Sequence, residues 1–110
     1  MTKILSNPIS NIKGFLVSLS PEVMEEGQVD KDVIKESALI DSAECIRITL
    51  EEGKEVLAME PFPWEWICDI VGTYWDKDNK VFIEEPKFYY DWLAKILAIL
   101  EEEAKKQGKL

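Results

Sequence analysis

The stretch CIRITLEEGKEVLAME, residues 45–60, decides how the rest of this 110-residue chain is read. Ile46, Ile48 and Leu50 fall at alternate positions with Cys45, Arg47 and Thr49 between them, the period of a strand with one buried face. EEGK (51–54) follows, and Gly53 is free to take the positive φ that a short loop needs. EVLAME (55–60) then reads as the returning strand. The pattern predicts a β-hairpin, with Glu51, Glu52 and Glu55 at or beside its tip.

Toward the N-terminus, KGFLVSLS (13–20) sets Phe15, Val17 and Leu19 at alternate positions and reads as another strand. Ser20, Pro21 and Glu22 have the form of a helix start, which Gly27 ends early. Residues 28–44 fit either a helix capped by Asp30 or Asp32, carrying Val33, Ile34 and Ala38, or an edge strand. Toward the C-terminus, Pro61 and Pro63 interrupt any sheet, because proline cannot donate to the ladder. PFPWEWICDIVG (61–72) reads as a turn leading into a short helix ended by Gly72. TYWDKDNKVFIEE (73–85) carries a second hairpin signal with Asp76, Lys77, Asp78 and Asn79 at its tip. From Pro86 a long helix carries Tyr89, Trp92, Leu93, Ile96, Leu97, Ile99 and Leu100 on a broad apolar stripe, and Gly108 ends it.

These elements predict an α+β fold, an antiparallel sheet of four to five strands with the long C-terminal helix packed across one face, in a single domain spanning residues 1–110. Leu97 and Ile99 widen the stripe beyond what one sheet face covers, which leaves apolar surface for a homodimer.

Composition narrows the function. The formal net charge is −9, and residues 20–69 hold 14 acids against 4 bases, so nearly all the imbalance lies in the middle of the chain. Such a field repels phosphate and argues against direct nucleic-acid binding, while it favours a basic protein surface as partner. No apolar run approaches the roughly 18–20 residues that span a bilayer. The first twenty residues lack an unbroken apolar h-region, so the expected location is cytoplasmic, with no membrane partner. The 15 Glu, 12 Lys and 12 Ile, beside 3 Asn and 2 Gln, lean toward a thermophile or an AT-rich genome. Cys45 and Cys68 sit among apolar neighbours and read as two buried, reduced thiols, with a single bridge as the alternative.

The absence of histidine removes Ser-His-Asp and Cys-His catalysis and the commonest metal ligand. Neither a GxxxxGK[ST] loop nor GxGxxG is present. Residues 76–87 begin like a calcium loop at Asp76 and Asp78, but Val81 stands where the turn needs glycine and Lys87 where a bidentate glutamate is needed. No metal and no cofactor is therefore expected, and the chain reads as non-enzymatic.

The aromatic residues remain. Of the eleven, only Phe15 lies outside Phe62–Trp92. Trp92, on the helical stripe, reads as core. Trp64 and Trp66 flank Glu65 just after two prolines, and this pattern suits rings on a surface, where tryptophan favours binding hot spots. Together with Asp69 and the acids Glu51, Glu52 and Glu55, they form the predicted partner-binding set. The function expected is an accessory subunit or inhibitor whose acidic, Trp-rich surface engages a basic partner. The nucleic-acid-binding face of an enzyme is the natural target, since spaced carboxylates imitate phosphates. Small viral and mobile-element inhibitors of nucleases often have this kind of composition. The alternative is a small-ligand binder or carboxylate-dependent enzyme, with Glu65 and Asp69 in a Trp-lined pocket.

Overall fold

Residues 45–60 are helical. In the computed structural model, which describes residues 10–19 and 30–110, they belong to α3 (Ala43–Ala58). It follows α1 (Ser10–Ser18) and α2 (Asp30–Ile40) and precedes α4 (Trp64–Val71), strands β1 (Trp75–Asp76) and β2 (Val81–Phe82), and α5 (Pro86–Lys106). The sheet among the described residues is the antiparallel pair β1–β2 alone, with Trp75 opposite Phe82 and Asp76 opposite Val81. The fold is mostly helical, and the expected four-to-five-stranded sheet is corrected to this one short ribbon.

The reason is visible in α3. Ser42 caps it, its hydroxyl accepting from the Cys45 N–H at 3.1 Å, and Glu44 faces the positive end of the dipole. Ile46, Thr49, Leu50, Gly53 and Val56 are buried, a spacing of three and four that marks one helix face. The Thr49 hydroxyl donates to the Cys45 carbonyl at 2.9 Å, so the buried polar group is satisfied within the helix. Gly53 is not a turn residue. A Cβ there would lie 2.6 Å from Leu97 Cδ1, so the missing side chain lets α3 and α5 approach closely.

The strand expected over 13–20 is likewise replaced by α1. Ile12, Phe15, Leu16 and Leu19 are buried while Val17 is 42% exposed, so the helical spacing prevails over the alternation. Of the stretch 28–44, which reads either way, Asp30–Ile40 form helix α2, which buries Ile34 and Ala38, and residues 43–44 open α3. The helix start expected at Ser20–Glu22 lies outside the described residues.

The elements expected over 61–72, 73–85 and from Pro86 onward are present. Gly72, at φ 86°, closes α4. α5 runs 21 residues with proline in its first turn, roughly 30 Å at the standard rise. Its end is a Schellman motif: Gly108 N–H donates to the Lys105 carbonyl and Lys109 N–H to the Ala104 carbonyl. The Lys109 ammonium then donates to the carbonyls of Ala38, Leu39 and Asp41 at 2.6–2.8 Å, capping α2.

α5 packs on α2 and α3 and touches α4, while α1 packs on α3 and α4. The long helix thus lies against helices rather than a sheet face. Leu97 is buried against Gly53, and Ile99 packs at the core margin. The width of the stripe is used within the chain. No helix among the described residues is long and apolar enough to cross a membrane.

Candidate functional site

The acids assigned to a hairpin tip sit on α3, and helical geometry separates them. Glu51 and Glu55 are exposed and four residues apart, on one face. Glu51 pairs with Arg47 at 3.2 Å. Glu52 points the other way. It is buried, and its carboxylate accepts the Ile12 N–H at 2.9 Å, supplying a partner to one of the free donors at the start of α1. Glu52 therefore does not share the solvent face of its two neighbours.

On α4, Glu65 and Asp69 are also exposed and four apart, while Trp64 and Trp66 are half-buried and pack against the core. Trp64 stacks on Tyr89 with ring centroids 5.9 Å apart. Tyr74 meets Phe88, Tyr89 and Trp92 edge-on. Trp64, Tyr74, Phe88, Tyr89 and Trp92 thus build a layer between α4, the hairpin and the first turns of α5. The four helix residues Trp64, Glu65, Trp66 and Asp69 divide into two rings turned inward and two carboxylates turned to water.

Tyr89 is the hub of that layer. Fully buried, its hydroxyl donates to the Ile83 carbonyl at 2.6 Å and accepts from the Tyr74 N–H at 3.0 Å. Burial pushes the phenol up to about 12, opposed by the Tyr74 hydrogen bond and reinforced by the neighbouring Cys68 thiol. Tyr74 and Ile83 are the residues flanking β1 and β2, and the Ile83 N–H donates to the Tyr74 carbonyl at 2.8 Å. One phenol therefore staples the base of the hairpin.

The tip is closed by its own side chain. The Asp76 carboxylate accepts from the backbone N–H groups of Asp78 and Asn79 and from the Asn79 amide at 2.8–3.2 Å. These bonds, the Asn79 side chain foremost, hold Asp76 below the usual carboxylate range. Lys80 takes φ 57° to complete the turn.

Because Tyr74 and Ile83 turn inward, Trp75 and Phe82 turn outward. They are 49% and 59% exposed and in edge contact at 4.9 Å, with Val81 beside them 53% exposed. The most exposed tryptophan is thus Trp75, which the sequence reading did not place in the site. The alternation of the 73–85 hairpin, once Tyr74 is assigned to the core, is the signal that finds it.

A cleft of about 350 Å³ opens between α1, α2 and α3, lined by Asn11, Ser18, Ser37, Asp41, Cys45 and Thr49 among others. None of Trp64, Glu65, Trp66 or Asp69 reaches it. Cys45 and Cys68 are both free and half-buried, and the Asn11 amide lies 3.7 Å from the Cys45 sulfur. Among the described residues no group of three or more His, Cys, Asp or Glu is placed to hold a metal ion. Compared with known protein families, with curated proteins and with solved structures, the chain matches none.

Proposed function

We propose that this chain is a small, non-catalytic protein-binding module, an accessory subunit or inhibitor, whose acidic surface engages a basic partner. The nucleic-acid-binding face of an enzyme is the partner class that this chemistry fits best. The observation that supports the reading is the paired spacing of exposed carboxylates: Glu51 with Glu55 on α3 and Glu65 with Asp69 on α4. Residues four apart on a helix stand about 5–6 Å apart at Cβ, so each pair projects two carboxylates from one helix face, the Glu51 charge being shared with Arg47. Rigid presentation lowers the ordering cost of binding. The half-buried edges of Trp64 and Trp66 lie on the same helix as the second pair and offer apolar contact beside the charge.

Reversal of Glu55, Glu65 and Asp69 to lysine tests this. All three are exposed, and surface changes of this kind usually alter stability by less than about half a kcal/mol. In pull-downs from the native host followed by mass spectrometry, the parent chain should enrich a basic protein. That capture should weaken as salt rises, and the triple variant should lose it, chiefly through slower association. A partner that the variant retains at unchanged affinity across the salt range would defeat the proposal.

A further inference from the structure

We infer that the outward face of the β1–β2 hairpin is a self-association surface that takes a second copy of this chain in a two-fold arrangement. Its centre is the Trp75–Phe82 pair, with Val81 beside it, each about half exposed. A buried hydroxyl and a closed turn fix the backbone that carries this pair, which lowers the ordering cost at the moment of contact. Tryptophan and phenylalanine held in this way are the residues that anchor interfaces.

The charges around the pair specify the occupant. Lys77 and Lys80 stand at the tip on either side of Asp78, with Glu84 and Glu85 at the base, and all five are exposed and outside the ion pairs formed among the described residues. Lys80 and Glu84 are separated by roughly 13 Å of extended chain. A two-fold axis lying across the hairpin reverses its direction. It therefore sets the tip lysines of each copy against the base glutamates of the other, with the aromatic pairs meeting between them. An isologous interface demands this kind of self-complementarity.

Overall charge does not oppose the contact here. Residues 76–80 carry two acids and two lysines, so the tip is neutral in a chain of net charge −9. Roughly 300 Å² of apolar surface per copy is available from the three side chains, against about 800 Å² per partner in a standard interface. The dimer is accordingly weak and concentration-dependent.

Analytical ultracentrifugation of the full chain over a wide concentration range is the test. The parent should move from monomer toward twice the mass as concentration rises, and Trp75→Ser with Phe82→Ser should remain monomeric with unchanged helical circular dichroism. Lys77→Glu with Lys80→Glu should also be monomeric, as should Glu84→Lys with Glu85→Lys. Glu85 makes no side-chain cap bond that its replacement would remove. Mixing these two charge variants in equal amounts should restore the dimer, because the acidified tip of one then meets the lysine-bearing base of the other, while the native Lys77 and Lys80 meet the native Glu84 and Glu85. A parent that stays monomeric at every concentration overturns the proposal, as does a dimer that survives the loss of both rings. Failure of the mixed variants to associate while the parent does associate overturns the two-fold geometry.

Discussion

Residues 45–58 and residues 74–83 carry the same surface pattern, apolar side chains alternating on either side of a short polar segment. One becomes a continuous helix and the other a hairpin. The difference lies in the polar segment and in what the apolar residues can reach. EEGK is built from helix-compatible glutamate and lysine, with one glycine that costs a helix about 1 kcal/mol. That cost is offset because Gly53 admits Leu97. DKDNK instead carries Asp76, whose carboxylate accepts from the local backbone N–H groups of Asp78 and Asn79 and from the Asn79 side-chain amide in place of a helical arrangement. The apolar set of α3 also fits the helical period through Ile46, Leu50, Gly53 and Val56, whereas Tyr74 and Ile83 face one another across a strand pair with Tyr89 waiting beneath. A glycine between two apolar runs does not make a hairpin; side chains that close a turn do.

The contrast can be broken most forcefully at Ile46 and Ile48. A hairpin puts the two on one face and makes their truncations equivalent. The helix buries Ile46 and leaves Ile48 half-exposed. Ile46→Ala should cost about 3 kcal/mol in urea unfolding, with Ile48→Ala costing well under half as much. Equal losses would return the segment to a sheet.

Gly53→Leu comes next. Overpacking against Leu97 should cost about 2 kcal/mol, and combination with Leu97→Ala should cost less than the two changes separately, because they share one space. At an exposed tip the two substitutions would simply add.

The smallest effect sharpens the other side of the comparison. Tyr89→Phe removes both bonds at the hairpin base and should cost about 1–2 kcal/mol while leaving helix content unchanged. It also carries a pH signature. The folded phenol holds its proton to about 12, whereas the unfolded one releases it near 10.0. The folded state therefore binds more protons between those values, and stability falls as pH rises through that window. The contribution is complete below pH 10. The Tyr89→Phe variant should lose stability less steeply over the same range; identical slopes would remove the phenol from the account.

The parts of the fold legible in the sequence are those where a single period and a defined stop coincide. Residues 86–106 have proline at the start, a stripe sustained through Leu100 and a glycine beyond the end, and no alternation competes with them. Residues 64–71 end at a glycine that takes positive φ. In 12–19 and 45–58 both periods are present at once: Phe15, Val17 and Leu19 alternate, yet Ile12, Phe15, Leu16 and Leu19 also form a helical face. β-Branched residues tilt the local preference toward strand, and tertiary packing overrides it. The acids of the candidate surface were legible as a charge excess but not as individuals. The direction of Glu52 depends on an amide forty positions away, and the exposure of Trp75 depends on which way Tyr74 turns.

That Glu52 carboxylate has a further meaning for how the molecule opens. α1 is nine residues long with no acid in its first turn, shorter than the roughly 12–15 residues that an isolated helix needs to be even marginal in water. Its start is held by a side chain that belongs to α3, and α1 lies against α3. α1 therefore cannot persist once α3 has gone. Its amides should exchange with solvent at the rate set by α3, the two helices leaving the native state as one cooperative unit although residues 19–42, including all of α2, lie between them in the sequence.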